Sequence, residues 1–391
     1  MSLRSPFKLI VLLGLVSLFA DFTYEGARSI MGPYLATLGA SATLVGFVAG
    51  LGEFLGYGLR LFSGYLSDRI KNYWAFTIFG YFVNLLSIPA LALAKTPFQA
   101  AGLFILERMG KAIRTPARDT ILSFATARVG RGKGFGIHEA MDQIGAIAGP
   151  LFVSLLLFYF KDYRLAFAGL IASSLLAIAF LLISYFLYSH PQELEKKAPK
   201  EEKIEKLPTI FWLYALSMGI YGAGFADFAL MAYHFHKEEI LGASSIPLYY
   251  ALAMAIDALS ALFFGFLFDK RGLKVLIFPI FFSALAPPLV FLGKIQLLVF
   301  LGLFLWGIAL GAQESIMRAS VALFTPKEKR ATAYGLFHAL FGFLWFLGSL
   351  LLGILYDFSL YALVSVSTGL QLLSIPLLIR VIKIYASAKL S

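Results

Sequence analysis

The apolar residues of this 391-residue chain are gathered into runs of about 20 or more, separated by short polar breaks. A run of that length crosses roughly 30 Å of hydrocarbon as a helix. That layer offers the backbone no water, so each run must close its own hydrogen bonds, and helices are expected throughout. The chain reads as an all-α integral membrane protein. Composition agrees, with 60% hydrophobic and only 14% charged residues, where a soluble domain carries roughly 25% charged residues. Twelve transmembrane runs are marked, near 8–37, 42–67, 74–94, 98–122, 134–160, 163–188, 209–236, 245–268, 273–293, 296–323, 331–356 and 359–386. The first is too long for a signal peptide and lacks its small-residue cleavage site, so it is read as a spanning helix.

Basic residues set the orientation. Arg4, Lys8, Arg69, Lys71, Arg128, Arg131, Lys133, Lys270, Arg271, Lys274, Lys327, Lys329, Arg330, Arg380 and Lys383 crowd the loops of one side, against Lys95, Lys161, Arg164 and Lys294 on the other. The positive-inside rule then places both termini in the cytoplasm, in a multi-pass protein of the cell membrane. The net charge of +11 is an orientation signal and not a nucleic-acid footprint. Zero cysteines exclude disulfides and thiolate metal sites.

The chain also repeats itself at half its length. Phe19-Ala20-Asp21-Phe22 returns as Phe225-Ala226-Asp227-Phe228, and Leu38-Gly39-Ala40-Ser41 as Leu241-Gly242-Ala243-Ser244. Gly136 and Gly149 align with Gly335 and Gly348, each pair thirteen residues apart. The expected organisation is an N-terminal six-helix bundle over 1–188, a charged cytoplasmic linker over 189–208 and a C-terminal six-helix bundle over 209–391. The linker holds five Glu and five Lys between prolines, a composition that cannot bury apolar surface.

Gly64-Tyr-Leu-Ser-Asp68-Arg69 resembles the signature loop between helices two and three of the major facilitator superfamily. Gly265-Phe-Leu-Phe-Asp269-Lys270-Arg271-Gly272 is its echo between helices eight and nine. The N-terminal copy departs after Arg69, where Asn72 replaces the usual glycine. The resemblance implies two pseudo-symmetric bundles, a cavity between them near the midplane, and alternating access. It further implies a cytoplasmic gate in which Gly64, Asp68, Arg69, Gly265, Asp269 and Lys270 latch the halves, with Arg118, Asp119 and Arg318 as partners. Gly145-x-x-x-Gly149-Pro150 resembles the helix-five packing motif of exporting, antiport-type members, and shifts the expected direction toward efflux. The usual trailing glycine pair is missing there, because Phe152-Val153-Ser154 follows Leu151.

Charges inside the spans are the candidate chemistry. Asp21, Glu25 and Arg28 share one face of helix one, with Asp21 near the midplane. A charged carboxylate there costs several kcal/mol unless it faces water, is paired or takes a proton. The three form either a closed ion-pair stripe or a proton-coupling site. Helix two adds Glu53. Helix four carries Glu107, Lys111, Arg114 and Arg118 along one stripe, with Arg108 beside it. These form either a mutually paired network or a contact for an anionic group of the substrate. In helix five, His138 and Asp142 at i, i+4 form either a proton relay or a hydrogen-bonded pair, and Glu139 is a further acid. The C-terminal half offers Asp227, Asp257, Glu314 and His338.

The expected function is secondary active transport, proton-coupled export of a small organic molecule. The alternatives are proton symport of a small anionic solute, or a divalent-metal carrier using Asp21 with Glu25 and Asp227 with His338. No nucleophile elbow, P-loop or HExxH motif occurs, so an enzyme and a self-contained ATP-driven pump are both excluded. The expected partners are substrate, protons and lipid. No nucleic acid, metal or cofactor is expected beyond the proton gradient, and the protein is expected to work as a monomer.

Overall fold

Among the described residues the chain is helical, with no strand. The computed structural model describes residues 5–191, 207–325 and 330–390, without the side chains of 127–128, 131–133, 318, 330–332 and 388–390. The linker expected over 189–208 lies outside the described residues except at its two ends, as does the side chain of Arg318. In chain order the helices are α1 (Pro6–Arg28), α2 (Met31–Thr37), α3 (Ala42–Ile70), α4 (Tyr73–Ala90), α5 (Pro97–Val129), α6 (Arg131–Phe160), α7 (Tyr163–Gly169) and α8 (Ile171–Leu187). They continue as α9 (Thr209–Gly224), α10 (Phe228–Lys237), α11 (Ser245–Arg271), α12 (Ile277–Phe291), α13 (Gln296–Ala312), α14 (Arg318–Leu323), α15 (Arg330–Phe358) and α16 (Leu360–Leu390). Among the described residues, ten stretches are long and apolar enough to cross a membrane. The longest, Ser245–Phe291, holds both α11 and α12, joined by a 3-10 turn at Gly272–Leu276. The charged α5 is not among the ten.

Two compact units emerge. The first comprises 1–38, 55–200 and 243–251, and the second 39–54, 201–242 and 252–391. Each therefore takes a short stretch from the other half of the sequence.

In the first unit, Leu9, Leu13 and Val16 of α1 meet Trp74, Tyr81 and Leu85 of α4, Ile121 and Leu122 of α5, and Leu181 of α8. Glycines set the helix spacing where backbones cross. A methyl group on Gly145 would run into the carbonyl oxygen of Leu18, and one on Gly149 into that of Phe22. The Gly145-x-x-x-Gly149 face of α6 thus lets α1 approach to backbone contact, as small-xxx-small pairs do. Gly80 and Gly110 do the same between α4 and α5: a methyl on Gly80 would lie 2.7 Å from the backbone nitrogen of Arg114.

In the second unit, α9 stops at Gly224 and α10 begins at Phe228, so Phe225-Ala226-Asp227 is an extended break. Backbone groups freed by such a break need partners. Ser367 Oγ and Gln371 Nε2 donate to the Gly224 carbonyl at 2.6 and 3.0 Å, and Trp306 Nε1 donates to that of Ala226 at 3.0 Å.

The same unit holds the start of α3 against α15. The Gly46 and Gly50 positions face Ser349 and Phe346, and Gly353 faces Ala42 and Thr43. Asp357 closes the seam as a cap: its carboxylate accepts from Ala42 N at 3.2 Å, Thr43 N at 2.9 Å and Thr43 Oγ1 at 2.7 Å. Helix N-termini leave such N–H groups without partners, and an acidic group there also meets the helix dipole. Asp357→Ala is expected to lower stability by about 1–2 kcal/mol, the range for a lost N-cap. Asp357→Asn is expected to retain part of the cap. Thermal unfolding of both variants in detergent checks this, and equal midpoints for Asp357→Ala and the parent protein would remove the capping role.

Candidate functional site

Several charged side chains of the first unit converge on one buried network. Asp21 is 7% exposed, Glu25 7%, Glu107 4% and Arg114 1%. The register of α1 turns Asp21, Tyr24, Glu25 and Arg28 to one side. The tight crossing of α4 on α5 brings Tyr81 and Asn84 alongside Glu107 and Arg114.

Most of these charges are engaged. Arg28 lies 3.8 Å from Glu25 Oε1, while Tyr250 Oη donates to Glu25 Oε2 at 2.5 Å. Tyr250 belongs to 243–251, the stretch of α11 grouped with this unit. Asn84 Nδ2 donates to Glu107 Oε1 at 2.7 Å, and Arg108 Nε lies 3.5 Å from Glu107 Oε2. Arg118 pairs with its neighbour Asp119 at 2.7 Å and donates to Ser17 Oγ at 3.1 Å. His138 Nδ1 lies 3.5 Å from Asp142 Oδ2.

Lys111 and Arg114 are held differently. Lys111 Nζ stands 3.7 Å from the centre of the Tyr24 ring, and the Arg114 guanidinium 4.1 Å from that of Tyr81 and 6.0 Å from that of Tyr24. Arg114 Nε and Nη1 are buried and have no hydrogen-bond partner. Both cations act on Asp21, and the Tyr24 hydroxyl is within hydrogen-bonding reach of that carboxylate.

The remaining expected residues are dispersed. Glu53 is half-buried in the part of α3 grouped with the second unit, and Glu139 is exposed. Of the expected gate, Asp68, Arg69, Asp269 and Lys270 are exposed at the ends of α3 and α11. Gly64 packs against Pro116, and Gly265 has open space around it. Asp68 neighbours Tyr73. In the second unit Asp227 is buried, accepting from Trp345 Nε1 at 3.0 Å and Ser349 Oγ at 2.6 Å. Asp257 is buried on α11, where its carbonyl faces Gly311 of α13. Glu314 is exposed in a π-helical turn at Gln313–Met317, and His338 is half-buried on α15. Among the described residues, no group of three or more His, Cys, Asp or Glu is placed to hold a metal ion.

Sequence reasoning missed Tyr24, Tyr81 and Asn84. All three are neutral, so a search for charges passes over them. The signal for Tyr24 is its position three residues after Asp21 on the same face.

Helical units of this construction have many counterparts. A sequence profile described as Major Facilitator Superfamily matches residues 13–349 and 229–388. An uncharacterized protein of Mycobacterium tuberculosis is 40% identical over 383 residues, covering 96% of this chain and 93% of the relative. An uncharacterized MFS-type transporter of Methanocaldococcus jannaschii is 30% identical over 391 residues, 95% of this chain and 96% of the relative. Multidrug resistance protein MdtH of Proteus mirabilis is 29% identical over 155 residues, 39% of this chain and 38% of the relative. Among solved structures, a peptide transporter, POT, superposes with a TM-score of 0.76 at 13% identity over 97% of this chain and 94% of its own, a likeness of fold. With apolar spans along its length and a profile match over most of its residues, the chain is a multi-pass membrane transporter, not an enzyme, and belongs to the Major Facilitator Superfamily.

Proposed function

We propose that the protein is a proton-coupled secondary transporter of a small organic molecule, working by alternating access with twelve spans and both termini in the cytoplasm of the cell membrane. The N- and C-terminal six-helix bundles, 1–188 and 209–391, are its working halves, joined by the linker. Protons are its energy source, it needs no cofactor, and it acts as a monomer. The observation that carries this reading is the buried carboxylate pair of α1, Asp21 and Glu25, set among cations and tyrosines. A deep acid with neutral hydrogen-bonding neighbours has partners in either protonation state, which suits repeated loading and release of a proton.

Export is the favoured direction. It is supported by the likeness of 39% of the chain to MdtH, named for multidrug resistance, and by the glycine face of α6. A neutral or cationic cargo would leave in exchange for protons. Lys111 and Arg114 support a second reading, proton symport of an anionic solute. A thermal-shift panel of drugs, sugars, organic anions and divalent metals on the purified protein would identify a ligand. Liposomes loaded with a pH-sensitive dye would then report proton movement with that ligand. Asp21→Asn is expected to abolish ligand movement against its gradient while sparing exchange of ligand across the membrane. Uphill transport by Asp21→Asn at the parent rate would end the proposal.

A further inference from the structure

Among the described residues, two cations of the first unit's buried network have no carboxylate within ion-pair distance. Among the described residues, the ion pairs here engage Arg28, Arg108, Arg118 and His138, and none engages Lys111 or Arg114. Glu25 is taken by Arg28 and Tyr250, and Glu107 by Arg108 and Asn84. Lys111 and Arg114 stand on the aromatic faces of Tyr24 and Tyr81, and both act on the carboxylate of Asp21, while Glu25 and Glu107 also act on Lys111 from beyond ion-pair distance. A cation resting on a ring gains on the order of 2 kcal/mol when desolvated, but the ring face does not replace in-plane acceptors for a guanidinium's N–H groups. An N–H left without an acceptor in a buried site costs about 1–3 kcal/mol. Arg114 carries this at two nitrogens while only 1% exposed, and Lys111 beside it is partly exposed.

We propose that Lys111 and Arg114, seated on Tyr24 and Tyr81, bind the carboxylate or phosphate of a small organic anion, and that Asp21 is the internal anion with which it competes. A planar guanidinium offers two parallel N–H donors to either group, and an ammonium offers a point charge beside it. The groups facing Asp21 are Tyr24 and Glu25 on its own helix, Lys111 and Arg114 on α5, and Asp142 on α6. When Asp21 takes a proton, two positive charges are left for the ligand. When it loses the proton, its own charge repels the ligand and occupies the same cations. Proton and anion therefore bind in one state and travel together, because linkage between two sites is reciprocal. This co-movement is the symport form of the proton-coupled reading, in which the inward proton gradient drives uptake of the anion. This inference rests on the proton-coupled reading and gives its cargo a chemical class.

The test is binding of benzoate, succinate and phenyl phosphate to the purified full-length protein in nanodiscs at pH 7.5 and 5.5, with benzamide as the uncharged control. At least one anion is expected to bind, tighter at pH 5.5, with no binding of benzamide. Which anion binds separates the carboxylate from the phosphate. Lys111→Gln is expected to weaken binding about tenfold or more, a loss of about 1.4 kcal/mol. Arg114→Lys, which keeps the charge if Arg114→Gln fails to fold, is expected to weaken it through loss of the fork. Asp21→Asn is expected to retain anion binding and lose its pH dependence. Failure of all three anions to bind, equal binding of benzamide, or unchanged affinity in Lys111→Gln would overturn the proposal. Anion binding that persists in Asp21→Asn while proton movement in liposomes never occurs would sink proton coupling instead, so the two failures are distinct.

Discussion

Gly149→Ala should destabilise the protein severely, although adding a methyl to a helical glycine normally helps. An exposed Gly-to-Ala change in a helix gains up to about 1 kcal/mol through backbone entropy. At Gly149 the new methyl would instead meet the carbonyl oxygen of Phe22, with the Phe22 carbonyl carbon at 2.8 Å and Cα at 2.9 Å. These are backbone atoms of α1, which no side-chain rotation can move aside. The helices must separate, and overpacking of this kind costs about 1–3 kcal/mol, more where nothing yields. Gly136→Ala lies on the same helix with no atom within 4 Å of the new methyl, and Gly102→Ala on α5 is equally open. Both controls are expected to match the parent protein or to gain up to about 1 kcal/mol. Thermal unfolding in one detergent compares the three. A Gly149→Ala midpoint matching Gly136→Ala would show that α1 and α6 are not in backbone contact. The separation would also displace Asp21, which lies one residue before Phe22, so transport should fall with stability.

Asp227→Ala is the second large effect expected, and its cause is polar. The carboxylate accepts from both the Trp345 indole N–H and the Ser349 hydroxyl, with Asp227 5% exposed and Ser349 and Trp345 each 3% exposed. Truncation leaves two buried donors without an acceptor, at about 1–3 kcal/mol each. The side chain makes no cap hydrogen bond to α10, so the cost lies in the two stranded donors. We expect a loss of roughly 3 kcal/mol in Asp227→Ala, from these unsatisfied donors alone. Asp227→Asn keeps one carbonyl acceptor and should lose about half as much, and Ser349→Ala about 1 kcal/mol. Equal unfolding midpoints for Asp227→Ala and Ser349→Ala would contradict this account.

Much of the architecture was legible because its signals are periodic and local. Apolar run length marked the helices, and the charged residues of α5 announced a network simply by standing in lipid. The pairing of Arg28 with Glu25 followed from helical register alone. What escaped notice depends on distant partners. Phe-Ala-Asp-Phe is continuous helix at 19–22 and broken at 225–228, although the four residues are identical. The second copy follows Gly222 and Gly224, and it has Trp306, Ser367 and Gln371 to satisfy the opened backbone. No window around the tetrapeptide contains those donors. Asp357 is likewise separated from the α3 N-terminus it caps by 315 positions. The tyrosines that seat Lys111 and Arg114 were hidden by company, in a chain holding 39 Phe and 19 Tyr.

The assignment of 39–54 to one unit and 243–251 to the other has a genetic corollary. Cutting the gene within the linker would not yield two self-sufficient products. The upstream fragment would carry the Gly46 and Gly50 strip without Ser349 and Phe346 to cover it, and Glu25 without Tyr250. Two such fragments should complement one another when made in the same cell, and each made alone should be degraded.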